Sequence, residues 1–288
     1  MLSSNKIFGI VQMKTIIITG ANTGIGLATA KELIKDGHHV ILACRNIQKA
    51  QHAKQQLESF GTGKVDIIQL DLNSLEQVNQ TANYIIENYE KIDVLVNNAG
   101  LMTPVFETTE DGYEKQFGVN YLAHFLWTMK LLPLVQQAER GRIIHLASMM
   151  HLLGSIQPEI FKADQVKHYN GVRSYGNSKL ANLLFSNALA EKLQDTHVTS
   201  NALHPGGVDS EIYRELPNYQ YKVIKLFLIP PSKPAKLIKK IAFDTSWNDR
   251  NGDYVSLQTP AIRSSKAKNM QLARDLYEQS LKLVQDYL

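Results

Sequence analysis

Residues 14–26 read Lys-Thr-Ile-Ile-Ile-Thr-Gly-Ala-Asn-Thr-Gly-Ile-Gly, and this stretch decides the fold of the chain. The β-branched run Lys14–Thr19 is typical of a strand that is buried on both faces. Gly20, Gly24 and Gly26 follow it, and glycines at such a turn allow a tight bend and the close approach of a pyrophosphate. Three glycines alone can also mark a plain strand–helix turn. Their place between a buried strand and a helix favours phosphate binding.

The segments that follow continue this pattern. Leu27–Asp36 reads as a helix with a C-cap at Gly37, and His39–Cys44 reads as a second buried strand. Strands and helices then alternate, which predicts an α/β protein with a doubly wound parallel sheet, the Rossmann fold. Further strands are expected at Val65–Leu70, Val94–Val96, Arg142–Ala147, His197–Leu203 and Tyr254–Leu257. Further helices are expected at Ile47–Phe60, Leu75–Tyr89, Thr109–Leu132 with a break near Gly118, Ser174–Leu193 and Ala267–Val284.

The length of 288 residues and the absence of repeats favour a single domain. We expect an N-terminal tail over residues 1–12 and a Rossmann-fold domain over residues 13–288. A small helical substrate lid is expected over about residues 207–245. Its lysine-rich, amphipathic part, residues 219–243, could rest on an anionic membrane, although a lid helix with a solvated lysine face is favoured.

Composition excludes several classes of protein. A net charge of +4 is too weak to indicate nucleic-acid binding, and no stretch approaches the apolar length of a membrane span. Residues 1–12 lack the features of a signal peptide. Cys44 is the only cysteine, which excludes an intrachain disulfide and favours a reducing compartment, so we expect a cytoplasmic protein. No cluster of residues has metal-ligand spacing, and no metal is expected.

The end of the second strand bears on cofactor choice. An acidic residue there would bind the ribose 2′-hydroxyl of NAD, but the chain has Cys44 followed by Arg45. The forked guanidinium of Arg45 suits the 2′-phosphate of NADP, whereas the alternative is a solvated surface arginine. NADP(H) is therefore predicted over NAD(H).

Tyr175 and Lys179 lie four residues apart, so a helix places them on one face. A free tyrosine has a pKa of about 10, and an adjacent positive charge favours the phenolate. Tyr221 and Lys225 repeat the same spacing, so the spacing alone carries little weight. The context of the first pair must separate the two.

That context is a set of motifs that stand in a fixed order. They are Thr-Gly-Ala-Asn-Thr-Gly-Ile-Gly (19–26), Asp71, Asn-Asn-Ala-Gly (97–100), Asn120, Ser148, Tyr175 with Lys179, and Pro205-Gly206. Over residues 13 to about 257 the chain resembles the short-chain dehydrogenase/reductase family. Three further motifs are similar to its retinol-dehydrogenase-like branch: Ala-Cys-Arg-Asn (43–46), Ser-Lys-Leu-Ala-Asn (178–182) and His-Pro-Gly (204–206).

The resemblance implies four catalytic residues. Tyr175 would be the general acid in reduction and the base in oxidation. Lys179 would favour its phenolate and hold the nicotinamide ribose. Ser148 would orient the substrate oxygen, although it can also be a strand-end cap. Asn120 would shape a helix kink and hold a water that leads to Lys179, although it can also be a polar helix residue.

The resemblance also implies the contacts of the cofactor. Asn98, Ala99 and Gly100 would line the adenosine ribose, Asp71 and Leu72 would meet the adenine, and Pro205, Gly206 and Val208 would cover the nicotinamide. The full expected set is Gly20, Asn22, Thr23, Gly24, Ile25, Gly26, Arg45, Asp71, Leu72, Asn98, Ala99, Gly100, Tyr175, Lys179, Pro205, Gly206 and Val208. Thr23 stands where many NADP-using relatives carry a basic residue, so Arg45 would act largely alone.

These features predict an NADP(H)-dependent oxidoreductase that acts on a lipophilic carbonyl or alcohol, such as a retinoid, a steroid or an aldehyde. The apolar residues around residues 149–170 and 210–234 would form the substrate pocket. A homodimer through the helices after strands four and five is compatible with the resemblance. The alternative is a catalytically silent NADP-binding protein with a regulatory or scaffold role.

Overall fold

The computed structural model describes residues 12–161, 163–165, 168–208, 228–257 and 260–288. Residues 1–11 of the expected tail, residues 209–227 of the expected lid and the Tyr221–Lys225 pair lie outside this part of the chain. The described residues form one sheet with helices on both of its faces.

The sheet has seven parallel strands in the order β3-β2-β1-β4-β5-β6-β7. The strands are β1 Thr15–Thr19, β2 His39–Cys44, β3 Lys64–Gln69, β4 Val94–Asn97, β5 Arg142–Leu146, β6 Thr199–His204 and β7 Tyr254–Ser256. The chain runs outward from β1 to β3 and then returns to the other side of β1 as β4. The crevice between the carboxyl ends of β1 and β4 is therefore the topological switch point, where such folds bind ligands.

Seven helices of more than eight residues flank the sheet in the described part of the chain. They are α1 Gly24–Lys35, α2 Ile47–Glu58, α3 Leu75–Asn88, α4 Ala123–Gln136, α5 Gly171–Lys192, α6 Ser232–Phe243 and α7 Met270–Val284. A 3₁₀ turn, Met149–Leu153, follows β5. The predicted Rossmann fold is confirmed.

The two faces of the sheet carry separate apolar cores. Alternate residues of β1 show the division, because Ile16 belongs to the core beneath α1, α2 and α6, while Ile17 belongs to the core beneath α3, α4, α5 and α7. Both isoleucines are fully buried, and each such side chain contributes about 1.5–3 kcal/mol. The β-branched run at 16–18 is thus buried on both faces, as its sequence predicts.

The helix expected from Thr109 begins later and is not broken at Gly118. A turn of helix at Lys115–Phe117 continues into a π-helical turn, Gly118–Leu122, and then into α4. Gly118 permits this path because a Cβ there would lie 2.4 Å from Cγ2 of Thr109. A π turn adds a residue without ending the helix, which explains the irregularity that the glycine indicates.

The second half of the range expected for the lid packs on the sheet. Helix α6 lies against α1, buries Ile238 and Ile241, and pairs Lys239 Nζ with Asp36 Oδ2 at 2.6 Å. Its apolar side therefore faces the core rather than a membrane surface. Within the described ranges, no helix combines the length and the apolar character needed to cross a bilayer.

The C-terminal helix α7 covers α5 and the start of the α4 region. The rings of Tyr277 and Phe125 make an edge-to-face contact. The hydroxyl groups of Tyr121 and Ser280 form a hydrogen bond of 2.7 Å. Arg274 forms two hydrogen bonds, of 2.8 and 2.6 Å, with the carboxylate of Glu191. As a result α5 is buried continuously from residue 178 to residue 190.

Candidate active site

The glycine turn forms the floor of a cleft at the switch point. Gly20 and Gly24 have φ values of +65° and +55°, a backbone region that favours glycine. A Cβ on Gly26 would lie 2.7 Å from Asn98 Nδ2, so only glycine fits there. Thr23 is the N-cap of α1 but makes no side-chain cap bond. The first backbone N–H groups of α1 can therefore donate hydrogen bonds to a bound anion.

Polar side chains of neighbouring segments fix the shape of this turn. Asn98 Nδ2 donates to the carbonyl of Thr19 at 2.7 Å. The hydroxyl of Thr19 accepts from the backbone N–H groups of Asn98 and Ala99 at 3.0 and 2.9 Å. The segments after β1 and β4 are thus joined at the point where they line the cleft.

The cleft has a volume of about 570 Å³ and brings together residues from five segments. Eleven of the expected cofactor residues line it: Gly20, Asn22, Thr23, Gly24, Ile25, Arg45, Asp71, Leu72, Asn98, Ala99 and Gly100. Seven lining residues were not expected from the sequence: Ala43, Asn46, Lys49, Leu70, Leu101, Met102 and Val119. Gly26 lies beneath the turn, and the remaining expected contacts lie outside this lining.

Lys49 is the unexpected residue with the clearest chemical meaning. Asn46 caps α2 by accepting from the backbone N–H of Lys49 at 2.9 Å, which places Lys49 in the first turn of that helix. Arg45 and Lys49 are both exposed at one end of the cleft. Two positive charges beside a helix N-terminus form a site suited to a phosphate. The sequence signal was a lysine three residues after a capping asparagine.

Helix α5 carries Tyr175 and Lys179 and begins at the N-cap Asn170, whose side chain accepts from Arg173 N at 2.9 Å. Lys179 Nζ donates to the carbonyl of Leu146, at the end of β5, at 2.9 Å. It lies 5.4 Å from the centre of the half-buried Tyr175 ring. Burial lowers the pKa of Lys179 to about 8. At neutral pH the side chain is therefore still mostly charged, beside the phenol.

Asn120 sits in the π turn and joins the cleft to α5. Its amide makes two hydrogen bonds of 2.8 Å with the backbone of Leu101, one to the carbonyl and one from the N–H. It also donates to Ser178 Oγ at 3.0 Å, and Ser178 Oγ donates to the carbonyl of Tyr175 at 2.8 Å. Asn120 is thus at the irregular point of the helix, and the irregularity is a π turn.

Ser148 follows β5 and caps the 3₁₀ turn, since its Oγ accepts from Met150 N at 3.2 Å. The capping role anticipated as an alternative is therefore present, and it uses the Ser148 hydroxyl only as an acceptor, so the role does not use its capacity to donate. The turn packs tightly on α5, because a Cβ on Gly154 would lie 2.4 Å from the carbonyl oxygen of Gly176. This glycine contact beside Tyr175 was not anticipated from the sequence.

Three histidines near the site, His124, His151 and His204, are buried. The Nδ1 atom of the buried His151 bonds to the carbonyl of Ser148 at 2.7 Å. Burial lowers the pKa of His204 to about 4 and that of His124 to about 4. Within the described ranges, no group of three or more His, Cys, Asp and Glu residues is placed to hold a metal ion.

The segment after β6 carries the residues expected at the nicotinamide. Gly206 has φ of +85°, and Val208 is buried and pairs with Ile229 in an isolated bridge. The N–H of Ile229 donates to the carbonyl of Gly207 at 2.8 Å. The short bridge therefore holds the segment around Val208 against the segment around Ile229.

Known proteins resemble this chain over most of its length. A family model described as short chain dehydrogenase matches residues 14–220. Retinol dehydrogenase 13 of Mus musculus is 38% identical over 280 residues, which cover 94% of this chain and 84% of the relative. Retinol dehydrogenase 11 of Homo sapiens is 34% identical over an alignment of length 289, and the alignment covers 99% of this chain and 90% of the relative.

Solved structures show the same fold. A crystal structure of a protein from Mycobacterium paratuberculosis matches with a TM-score of 0.74 at 30% identity, covering 93% of each chain. An RhlG/NADP active-site complex from Pseudomonas aeruginosa matches with a TM-score of 0.69 at 24% identity, covering 85% of this chain and 94% of that one. The second likeness supports the fold alone.

Proposed function

The chain belongs to the short-chain dehydrogenase/reductase family, in its retinol-dehydrogenase-like branch, and it is thus an oxidoreductase of CH–OH and C=O groups; we propose that it uses NADP(H) and a lipophilic substrate. One observation carries the proposal that an oxidoreductase reaction takes place beside this cleft. Gly100 lines the cleft, and a Cβ on Gly100 would lie 3.3 Å from Asn120 Oδ1 and 3.4 Å from Lys179 Nζ. The cleft and the helix that carries Tyr175 and Lys179 are therefore adjacent at Gly100.

The residues of the cleft fit a dinucleotide. Gly20 and Gly24 supply the left-handed turn, Gly26 leaves room beneath it, and the amides at the start of α1 would face the phosphates of a bound cofactor. Asp71 and Leu72 would hold the adenine, and Asn98 and Ala99 its ribose. The bound cofactor supplies the hydride, and the protein supplies position and charge.

Preference for NADP(H) is supported by charge at one end of the cleft. Arg45 follows β2 in place of the acid that would bind a 2′-hydroxyl, and Lys49 lies near it. Two cations and the N-terminus of α2 would offset the two negative charges of a 2′-phosphate. Lys49 would take the part that a basic residue before the second glycine of the turn plays in many NADP-using relatives, since Thr23 is uncharged.

Four residues would carry out the proton chemistry. Tyr175 would protonate the substrate oxygen in reduction and accept its proton in oxidation. Lys179 would stabilise the phenolate by its charge and hold the nicotinamide ribose. Ser148 would donate its O–H to the substrate oxygen. The side chain of Asn120 is occupied by Leu101 and Ser178, so the backbone carbonyl of Asn120 would hold a water that leads to Lys179.

An apolar substrate is supported by side chains around the catalytic residues. Leu152 and Leu153 are 40% and 57% exposed in the turn that follows Ser148. Val172, one helical turn before Tyr175, is 43% exposed. Exposed apolar side chains beside a polar reacting centre suit a lipophilic alcohol or aldehyde. The relatives named retinol dehydrogenases make retinoids the first class to test. Pro205, Gly206 and Val208 would cover the nicotinamide next to it.

Two further proposals concern the whole chain. Helices α4 and α5, the surfaces expected to form a dimer, contact the chain's own helix α7. A homodimer would therefore use another surface. We retain the cytoplasm as the proposed location, with which the single, buried thiol of Cys44 is consistent.

A substrate screen tests the proposed function. The purified protein is mixed with NADPH or NADH and a panel of retinals, steroid ketones, aliphatic aldehydes and small polar ketones, and absorbance of the reduced cofactor is followed. We expect turnover with NADPH, fastest for an apolar carbonyl. Binding of NADPH with no turnover of any compound in either direction would instead favour the silent, cofactor-binding alternative.

A further inference from the structure

His124 is a buried histidine, 2% exposed, in the first turn of α4 directly after the π turn. Neither the sequence motifs nor the proposed reaction uses it. Its Nδ1 lies 3.1 Å from the carbonyl oxygen of Asn120, and its Nε2 lies 2.9 Å from the hydroxyl of Thr19. The imidazole therefore bridges the catalytic π turn and the residue that precedes the glycine turn.

The partners determine the tautomer of this imidazole. The carbonyl of Asn120 can only accept, so Nδ1 must carry the hydrogen. In the neutral ring Nε2 is then an acceptor, and it takes the hydroxyl hydrogen of Thr19. The other possible acceptor for that hydrogen, the carbonyl of Val96, is more distant at 3.5 Å.

The direction of the remaining bonds follows from this assignment. With its hydrogen given to His124, the oxygen of Thr19 accepts the backbone N–H groups of Asn98 and Ala99. Both residues line the cofactor cleft. The chain of bonds thus runs without a break from the amides of the cleft to the carbonyl of Asn120.

The charge state supports a fixed tautomer. Burial, followed by a smaller effect of the Lys179 charge, lowers the pKa of His124 to about 4, although the bonds to the backbone of Asn120 and Val119 oppose this. The ring is therefore neutral throughout the physiological pH range. Nδ1 remains the donor to Asn120, and Nε2 remains the acceptor from Thr19.

We propose that His124 is a positioning residue, which couples the geometry of the cofactor cleft at Asn98 and Ala99 to that of the catalytic turn at Asn120. The inference rests on the proposed function, because it assigns the two ends to cofactor binding and to turnover. At the catalytic end, Asn120 contacts Ser178, and Ser178 contacts the carbonyl of Tyr175. A displaced Asn120 therefore displaces the support of the catalytic tyrosine.

Two substitutions separate the ends of the bridge. The amide of asparagine reaches the position of Nδ1, so His124→Asn keeps a donor for the Asn120 carbonyl and loses contact with Thr19. The amide of glutamine reaches the position of Nε2, so His124→Gln keeps a partner for Thr19 and loses the bond to Asn120. His124→Leu removes both bonds while it keeps an apolar volume.

The experiment measures two quantities for each variant. The Kd of NADPH is obtained from the change in nucleotide fluorescence on binding, which needs no turnover, and kcat is obtained with the best substrate of the screen. His124→Asn is expected to raise the Kd about 10-fold and to change kcat less than 3-fold. His124→Gln is expected to lower kcat about 10-fold and to change the Kd less than 3-fold.

Thr19 provides a second test that leaves His124 in place. Thr19→Val removes the hydroxyl and is expected to raise the Kd as His124→Asn does, whereas Thr19→Ser restores the hydroxyl and the wild-type Kd. This pair tests the Thr19 end of the bridge, because its hydroxyl accepts directly from Asn98 and Ala99, and the His124 variants test whether the imidazole acts through that hydroxyl. The proposal would be overturned if His124→Asn and His124→Gln changed the Kd of NADPH and kcat to the same extent. It would also be overturned if Thr19→Ser bound NADPH as weakly as Thr19→Val.

The outcomes also distinguish this inference from the proposed function. If the wild-type protein turns over no substrate, the proposed function fails, and the Kd measurements still decide the cofactor end of the bridge. A Kd raised by His124→Asn and Thr19→Val but not by Thr19→Ser supports the bridge. A Kd unchanged in all of these variants overturns it.

Discussion

Lys179 Nζ donates to the carbonyl oxygen of Leu146 at 2.9 Å, with its side chain 4% exposed. The bond ties the helix that carries Tyr175 to the end of the strand that leads to Ser148. The ammonium is thus held by a neutral carbonyl within the core, which is an unfavourable place for a charge. This arrangement has a consequence for stability that can be measured.

We expect the cofactor-free protein to gain stability relative to Lys179→Met as pH rises from 8 to 9.5. Burial lowers the pKa of Lys179 to about 8, whereas an unfolded lysine keeps its proton to about 10.4. The unfolded state therefore binds more protons in this window, so the free energy of unfolding rises with pH, by about 2 kcal/mol. Urea unfolding of both proteins at pH 7.5, 8.5 and 9.5 measures the difference, since other titrating groups cancel. A difference that is constant across this range would contradict the depressed pKa.

The Arg45 and Lys49 pair predicts the cofactor preference. Arg45→Asp should lower the ratio of NADPH to NADH efficiency about 10–100-fold, because a charge-assisted hydrogen bond is lost and a repulsion is added. Lys49→Gln should weaken NADPH binding about 3–10-fold and leave NADH binding unchanged. Steady-state kinetics with both cofactors provides the measurement.

Lys54→Gln is the matched control for Lys49→Gln. It removes the same charge from the same helix, but Lys54 faces Glu58 at 3.7 Å and does not line the cleft. Equal effects of the two substitutions would show that net charge, rather than contact with the 2′-phosphate, accounts for the preference.

The close contact of Gly154 with Gly176 predicts a loss of turnover in Gly154→Ala. The added methyl group would meet the carbonyl oxygen of Gly176 at 2.4 Å and would move the turn that carries Ser148 away from Tyr175. We expect kcat to fall about 10-fold or more and stability to fall about 1–3 kcal/mol.

Gly141→Ala is the control, because its Cβ would meet the carbonyl of Val135 at 2.6 Å before β5, away from Ser148. It should cost similar stability and leave kcat within about 2-fold; a similar loss of kcat would attribute both effects to general destabilisation.

Helix α7 predicts that the protein does not associate through α4 and α5. Light scattering coupled to gel filtration should give a mass near the 32.4 kDa of one chain.

Leu276→Asp should undock α7, because Leu276 is only 2% exposed and a carboxylate is unfavourable there. The variant should then self-associate through the apolar faces that α7 no longer covers. Gln271→Glu, on the exposed side of the same helix, should behave like the wild type. A wild-type dimer that cross-links between α4 and α5 of two chains would refute this prediction.

The sequence predicts the sheet because its signals are local. β-branched runs such as residues 15–19 are buried in the sheet, and the glycine turn lies where the switch point places a ligand. The cap at Gly37, with φ of +80°, also follows from local chemistry. The eleven expected residues that line the cleft lie just after the carboxyl ends of β1, β2, β3 and β4.

The features that were not predicted depend on contacts between distant segments. The π turn is held by Asn120 and Leu101, the 3₁₀ turn by Gly154 and Gly176, and neither partner can be identified from its own neighbours in the chain. The packing of Ser232–Phe243 on α1 follows the same rule, since an amphipathic helix fits a lid and a sheet face equally well. His124 could not be separated from an ordinary core histidine until both of its ring nitrogens had partners.

The central claim, that Tyr175 transfers the proton, is tested most directly by Tyr175→Phe. NADPH binding is measured by fluorescence titration and single-turnover oxidation by stopped flow with the best carbonyl substrate. We predict that the Kd of NADPH stays within about 2-fold, because the ring and Lys179 remain, while the rate falls about 10²–10⁴-fold. A variant that binds NADPH normally and oxidises it at the wild-type rate would contradict the account.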